Sequence, residues 1–488
     1  MKPNYRKRHI RLFIQLMALC LLCSNSACEK TNETVTEPDL EEEIIGGDVE
    51  FWMTRGDKSV LFEKQDSLPW TDTSSGYTTI TVDSSQRFQE IDGFGFSLTG
   101  ASAYVINQMS EPEKTALLED LFLTDDDAIG ISYLRISIGA SDLSAAPFTY
   151  DETPDGEADE NLDYFTIAEE QADLLPVLKR VVALNPDIKI LATPWTAPTW
   201  MKSNLSFVGG ELEKAYYDAY ALYFIKYIQA MANEGIIIDA VTVQNEPLHD
   251  GNNPSMYMSA ADQTEFVKDH LGPKFEANNI LTKIIIYDHN LDRISYPLSI
   301  LADADAAQYI DGSAFHLYAG DISSLSTVYA AYPDKKVYFT EQWTSANGDF
   351  AADLQWHVSN LIIGATRNWS SNVLEWNLAT DTNYGPYTVG GCDQCQGALT
   401  IDGDAVTKNV SYYIIAHASR FVRPGSVRIA SDSSDDLQTV AFQTPEGKTV
   451  LIVLNNSTSI TTKFSINFNG KMMSSSLWSG AVGTYIWD

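Results

Sequence analysis

The chain has 488 residues, 44% of them hydrophobic and 20% charged, enough to bury one large core and a smaller second one. Its 66 acidic residues against 32 basic ones give a formal net charge of −34, which argues against nucleic acid as a partner. Such a charge keeps a protein dispersed in water and does not by itself name a substrate.

Residues 1–27 contain five Lys or Arg, no acid, and a mainly apolar run from Leu12 to Cys23, the layout of a signal peptide. The run is shorter than the roughly 18 to 20 apolar residues a membrane span needs. Small residues Ser26 and Ala27 precede Cys28, an order similar to a bacterial lipobox. Two processing routes fit: lipidation of Cys28, or plain cleavage after Ala27. The expected location is therefore the cell envelope, with a lipid on Cys28 as the one tie to a membrane, facing the periplasm or the cell surface. Loss of the leader leaves 27 basic against 66 acidic residues, a net charge of −39. Residues 28–48, EKTNETVTEPDLEEEIIGGD after the cysteine, are acidic and lack aromatics, so they read as a flexible tether.

Short β-prone runs fill residues 49–91, and a second set fills 422–488, including VAFQTP, KTVLIVLNN, TTKFSINFNG and GTYIWD. Turn signals at Pro445-Glu446-Gly447 and Asn469-Gly470 separate them in hairpin fashion. These two distant segments are expected to form one β-sandwich side domain built from both ends of the chain.

Residues 92–421 alternate apolar strand-like runs with helical stretches, the pattern of parallel strands with crossover helices. Strands are expected near Gly93–Ser97 and over 131–138, 188–195, 236–244, 282–290, 309–318, 335–341 and 372–377. Ser110 with Glu113 reads as a capping box, and Tyr216, Tyr220, Tyr223, Phe224 and Tyr227 fall on helical spacing that suits packing. Eight alternating units point to a (β/α)8 barrel. The strands end in Trp195, Asn245-Glu246, Asp288-His289, His316 with Tyr318, Glu341, and Trp376-Asn377. In a barrel those ends converge on one face, where such folds carry their chemistry.

Two of the ends are glutamates, in VTVQNEP and VYFTEQW. Cleaving an acetal takes one carboxyl group to protonate the departing oxygen and a second to attack or stabilise the oxocarbenium-like carbon, and this pair supplies both. Neither glutamate is diagnostic alone, since most acids are surface charge. Cys392 and Cys395 are the only cysteines beyond Cys20, Cys23 and Cys28. Export favours a disulfide between them. A metal site would need two further ligands, and none stands nearby. The glycines of GFGF lack the GxGxxG continuation of a nucleotide site, so no metal or cofactor is expected.

The segments GFGFSLTGASA (93–103), LRISIGASDLSAAPFTYDE (134–152), ATPWTAPTWMK (192–202), VQNEP (243–247), FHLY (315–318), FTEQWT (339–344), EWNL (375–378) and HASRFVRPGSVRI (417–429) occur in order. Together they resemble glycoside hydrolase family 30, a retaining clan A family, from about Phe51 to Asp488. The resemblance implies Glu246 as acid/base and Glu341 as nucleophile, about 5 Å apart. It further implies that Asn245 holds the sugar 2-hydroxyl, that Arg135 and Tyr318 contact the nucleophile, and that Trp376, Trp195 and His316 line the pocket. Arg135 is expected to keep Glu341 ionised, while Glu246 sits in a less charged setting that preserves its proton. Glucosylceramidases carry an acid after the threonine of the first glycine-rich motif, where it grips outer hydroxyls of a terminal glucose; here Gly100 stands instead. GFGFSLTG and TEQW look more like the β-1,6-glucanase branch, so the expected substrate is β-1,6-glucan. A glucosylceramidase, β-glucosidase or xylan-active member is the alternative, and a non-catalytic glycan-binding surface lipoprotein is another.

Overall fold

The computed structural model describes residues 49–73, 76–125, 128–457 and 459–488. The expected signal peptide, the tether and Cys28 lie outside the described residues.

Eight parallel strands close into a barrel: β1 (Gly93–Ser97), β2 (Tyr133–Ile138), β3 (Lys189–Pro194), β4 (Ala240–Thr242), β5 (Lys283–Asn290), β6 (Ile310–His316), β7 (Lys336–Glu341) and β8 (Ser370–Asn377), with β8 paired to β1. Parallel strands sealed by helices are apolar on both faces, which is why the sequence shows continuous apolar runs. The inner faces stack in layers. Tyr133, Leu191, Ala240, Ile285, Ala314, Tyr338 and Leu374 form an apolar cluster. Two residues further along most of these strands, toward their C-terminal ends, stand Arg135, Thr193, Thr242, His316, Thr340 and Trp376. The period of two along a strand thus converts an apolar plug into a polar floor. On β1 the inner position is Gly95, where a Cβ would come within 1.9 Å of the Tyr133 carbonyl oxygen, so no other residue fits.

Strand β4 covers only Ala240–Thr242 of the apolar run 236–244, and just before it the Asp239 carboxylate accepts from the Ile190 backbone N–H and the Lys189 ammonium. The helix Glu111–Phe122 starts where expected, yet the Ser110 hydroxyl makes no capping bond; Pro112 occupies the first turn and the Ser110 N–H donates to Asp404. Helix Tyr217–Asn233 buries Tyr220, Tyr223, Phe224 and Tyr227.

The side domain is a nine-stranded sheet that folds over itself as a β-sandwich, with the strands from 49–90 interleaved among those from 427–487. Val49–Thr54 lies between Leu61–Leu68 and Val482–Trp487, so both chain ends share one ladder. The turn at Asn469-Gly470, both at positive φ, joins Thr462–Phe468 to Lys471–Leu477 in a two-residue hairpin. Strand alternation divides the sheet's side chains between two cores. Phe51, Met53, Leu451 and Val453 enter the sandwich, whereas Trp52, Val450, Ile452 and Leu454 join the barrel core. His417, on the helix Val410–Ser419, sits in that junction with Thr484 and Thr54 hydroxyls at 2.8 Å from its two ring nitrogens.

Candidate active site

Three of the strands that carry functional groups are irregular where those groups emerge. Register shifts fall between Tyr287 and His289 on β5, between Phe339 and Glu341 on β7, and between Glu375 and Asn377 on β8, leaving Asp288, Thr340 and Trp376 as extra residues. Such bulges re-aim side chains at a sheet's rim. Tyr287, Asp288 and Glu246 adopt φ of 75°, 67° and 44°, left-handed values that cost non-glycine residues energy and gather at working sites.

The buried floor is a charge cluster. The Arg135 guanidinium donates to Glu341 Oε2 at 2.6 Å, Asn245 Oδ1 at 2.7 Å and Asp288 Oδ2 at 2.9 Å. Asp288 is fully buried and also accepts from Thr242 at 2.8 Å and Thr340 at 2.6 Å. His316 bridges Asp288 Oδ1 at 3.0 Å through Nε2 and Glu246 Oε1 at 3.2 Å through Nδ1. Tyr318 donates its hydroxyl to Glu341 Oε1 at 2.9 Å. One oxygen each of Glu246 and Glu341, with one His316 nitrogen, lie within 4.8 Å of one another. This trio could in principle face a cation, but its donor atoms already bond one another and the Arg135 charge lies beside them.

Burial alone would lower the His316 pKa, but the carboxylates of Glu341, Asp288 and Glu246 override it and push the imidazole up to about 10. Burial likewise works against the Asp288 charge, yet Arg135 and His316 hold that carboxyl far below the usual range. Burial raises Glu341, with His316 and Arg135 opposing it and the charges of Glu246 and Asp288 adding to the rise. For Glu246 burial is outweighed by the His316 hydrogen bond and the charges of His316, His289 and His249, so its pKa falls. Arg135 stands beside Glu341 as expected, whereas the less charged setting expected for Glu246 is corrected: the His316 and His289 imidazoles stand 3.2 and 3.7 Å from its carboxyl. That His316 stands between both glutamates was not legible beforehand, because the contact joins three remote parts of the chain. With Arg135 and His316 positive and Asp288 negative, the cluster is neutral when the glutamate pair holds one proton, and that proton belongs to the pair.

Above the floor lies a pocket of about 240 Å³ lined by Asp142, Trp195, Asn245, Glu246, Tyr318, Glu341, Trp343, Trp376 and both Cys392 and Cys395. Trp195 and Trp376 stand 5.5 Å apart between ring centres, with the Arg135 guanidinium 4.8 Å over Trp195. Cys392 and Cys395 are joined as a disulfide. Glu246, Glu341, Asn245, Arg135, Trp195, His316, Tyr318 and Trp376, the expected site residues, thus fall in or directly beneath one pocket. A buried, preformed cation–carboxylate floor under aromatic walls, with two carboxyl groups this close, has the chemistry of acetal cleavage.

Comparison with known proteins agrees with that chemistry. Residues 91–422 match the glycosyl hydrolase family 30 TIM-barrel domain, and residues 425–485 match the family 30 beta sandwich domain. The chain belongs to glycosyl hydrolase family 30. It is therefore a glycoside hydrolase. Among family 30 relatives, an endo-1,6-β-D-glucanase of Neurospora crassa is 34% identical over 83% of this chain and 86% of its own. A lysosomal acid glucosylceramidase of Mus musculus is 29% identical over 78% and 77%. A solved endo-β1,6-glucanase superposes with a TM-score of 0.85 at 36% identity, covering 90% of this chain and 99% of that one.

Sequence reasoning missed three pocket features. Asp288 was visible only as a polar strand end, because plain alternation from Ile285 would turn it outward and the bulge turns it in. Asp142 follows β2 and lines the pocket; burial, then the charges of Glu341 and Glu246, push its carboxyl up to about 7. Gly100, by contrast, is not in this pocket, so the absence of an acid there does not leave the wall without a carboxylate. Trp343 was overlooked because it lies two residues beyond Glu341, past the end of β7.

Proposed function

We propose that this glycoside hydrolase cleaves β-1,6-linked glucan with retention at the anomeric carbon. Glu341 attacks that carbon while Glu246 gives its proton to the departing glycosidic oxygen. Glu246 then takes a proton from water, which displaces Glu341 and restores both groups. The observation that carries this reading is the separation within 4.8 Å, too short for the intervening water of an inverting reaction and suited to direct attack. Glu341 suits the nucleophile role because Arg135 and Tyr318 each hold one of its oxygens, fixing the attacking lone pair. Among the described residues the Glu246 carboxyl is bonded by imidazoles alone, which leaves it free to face the leaving group. Trp376 and Trp195 offer apolar faces to the sugar ring.

For the linkage, support comes from the stronger likeness to the 1,6-β-glucanases than to the glucosylceramidase. Asp142 in the pocket wall favours a second reading, hydrolysis of terminal glucosides. Digestion of β-1,6-glucan, glucosylceramide, aryl β-glucoside and xylan with product sizing separates the two: oligosaccharides from β-1,6-glucan support the proposal, and glucose from terminal glucosides with no action on the glucan rejects it. Export with a lipid on Cys28 belongs to the same proposal, and radiolabelled fatty acid on the wild type but not on Cys28→Ala tests it.

A further inference from the structure

The segment 387–396 is fastened to several loops around the pocket. Thr388 donates its N–H to the Asp142 carbonyl at 2.9 Å and its hydroxyl to the Asn253 carbonyl, and Asn253 donates back to Val389. Cys395 and Gln396 pair with Thr344 and Ser345, just beyond Trp343. Gly391 presses so close to Asp142 that an added Cβ would lie 2.4 Å from its carbonyl oxygen. At the centre the Cys392–Cys395 bridge forms part of the pocket wall, packed with Trp343, Trp195 and Trp376, and Asp142 lines the same pocket. Glycines 390 and 391 precede Cys392, so the backbone there has little intrinsic stiffness. The bridge supplies it.

We infer that the Cys392–Cys395 disulfide is a specificity-determining element of the sugar pocket, holding the 387–396 segment against the Asp142 loop and the wall on Trp343 so that the hydroxyl-bearing glucosyl unit meets a fixed surface. The inference rests on the glycosidase reading above. It places the bridge in substrate binding and outside the chemical step, since neither sulfur bonds Glu246 or Glu341.

The test compares KM and kcat of the full chain on β-1,6-glucan and on an aryl β-glucoside, before and after dithiothreitol. The reagent's two thiols give two electrons and two protons to the bridge, yielding two cysteine thiols and the cyclic reagent disulfide. Alkylation and peptide mass spectrometry establish the state of Cys392 and Cys395. Reduction is expected to raise KM about tenfold through loss of the fixed pocket wall, with kcat held within about threefold. Cys392→Ser with Cys395→Ser should show the raised KM and no response to the reagent. An unchanged KM with the pair demonstrably reduced overturns the inference, as does an equal response in the double serine variant. A drop in melting temperature without a change in KM marks the bridge as merely structural and also overturns it. Should the double variant fail to fold, the wild-type reduction arm decides alone. If the oxidised enzyme cleaves no β-glucoside at all, the glycosidase reading fails, a result distinct from equal activity in both redox states.

Discussion

Replacing Asp288 by Asn tests the charge cluster most directly, because the shape is kept and one charge is lost. Four donors converge on this carboxylate, Arg135 and Thr242 on Oδ2 and His316 and Thr340 on Oδ1. An amide can accept on one side only, so its NH2 must face either the Arg135 guanidinium or the His316 ring. Removing one partner of a fully buried ion pair costs about 3–5 kcal/mol. Because Asp288 titrates below its ordinary value, its contribution is complete above the unfolded pKa of about 4 and is lost as pH falls below that. The melting temperature of D288N should thus fall by several degrees at neutral pH, with the gap to wild type closing in acid. His316 also loses one of the carboxylates that hold it near 10, so the alkaline decline in activity should move toward neutrality. Loosening Arg135 misplaces Glu341, for which about 10²-fold in kcat/KM is expected. Thermal melts and kinetics on an aryl β-glucoside across the pH range measure all three effects. A variant melting within a degree of wild type, with kcat/KM within about twofold, refutes the claim that Asp288 organises the floor.

Glu341→Gln should lower kcat on the order of 10⁴-fold while the melting temperature moves by only a few degrees, as followed by stopped assay and circular dichroism. Glu246→Gln should cripple natural linkages far more than aryl glucosides with good leaving groups, because those need no proton; equal losses on both would contradict the acid role. Tyr318→Phe removes one hydrogen bond to a charged carboxylate from a side chain 38% exposed, so about a tenfold loss in kcat/KM with unchanged stability is expected. Burial drives His417 down to about 3, so the native state keeps it neutral; stability is complete above about 6.5 and declines by about 1.4 kcal/mol for each pH unit below that. His417→Gln should flatten this acid slope in melts taken between pH 7 and pH 5.

The barrel was legible because buried parallel strands tend to be apolar on both faces, and Val337-Tyr338-Phe339 before Glu341 and Val373-Leu374 before Trp376 met that requirement. The glutamate pair was legible because Pro247 and the polar residues after Glu341 stop their runs abruptly. Asp288 and the electrostatic role of His316 were not. A bulge inserts one residue and reverses the alternation on which inward and outward faces are assigned, and a histidine's charge depends on partners from other strands. The Ser110 cap failed for a related reason: a local motif forecasts a local bond, and Asp404, remote in sequence, takes the Ser110 backbone donor.

The ladder that pairs Phe51 with Tyr485 sets an order of arrival during synthesis. As the ribosome releases the chain from its start, Trp52 and its neighbours emerge long before their partner strand exists. With Leu61–Leu68 beside them on one edge, their other edge stays unpaired until the strand around Tyr485 is made. Pairing between such remote segments is slow, and a half-made sheet edge invites the wrong neighbour. The catalytic barrel rests on that same sheet, so a nascent chain that has already formed all eight barrel strands still lacks part of the wall behind its last helix.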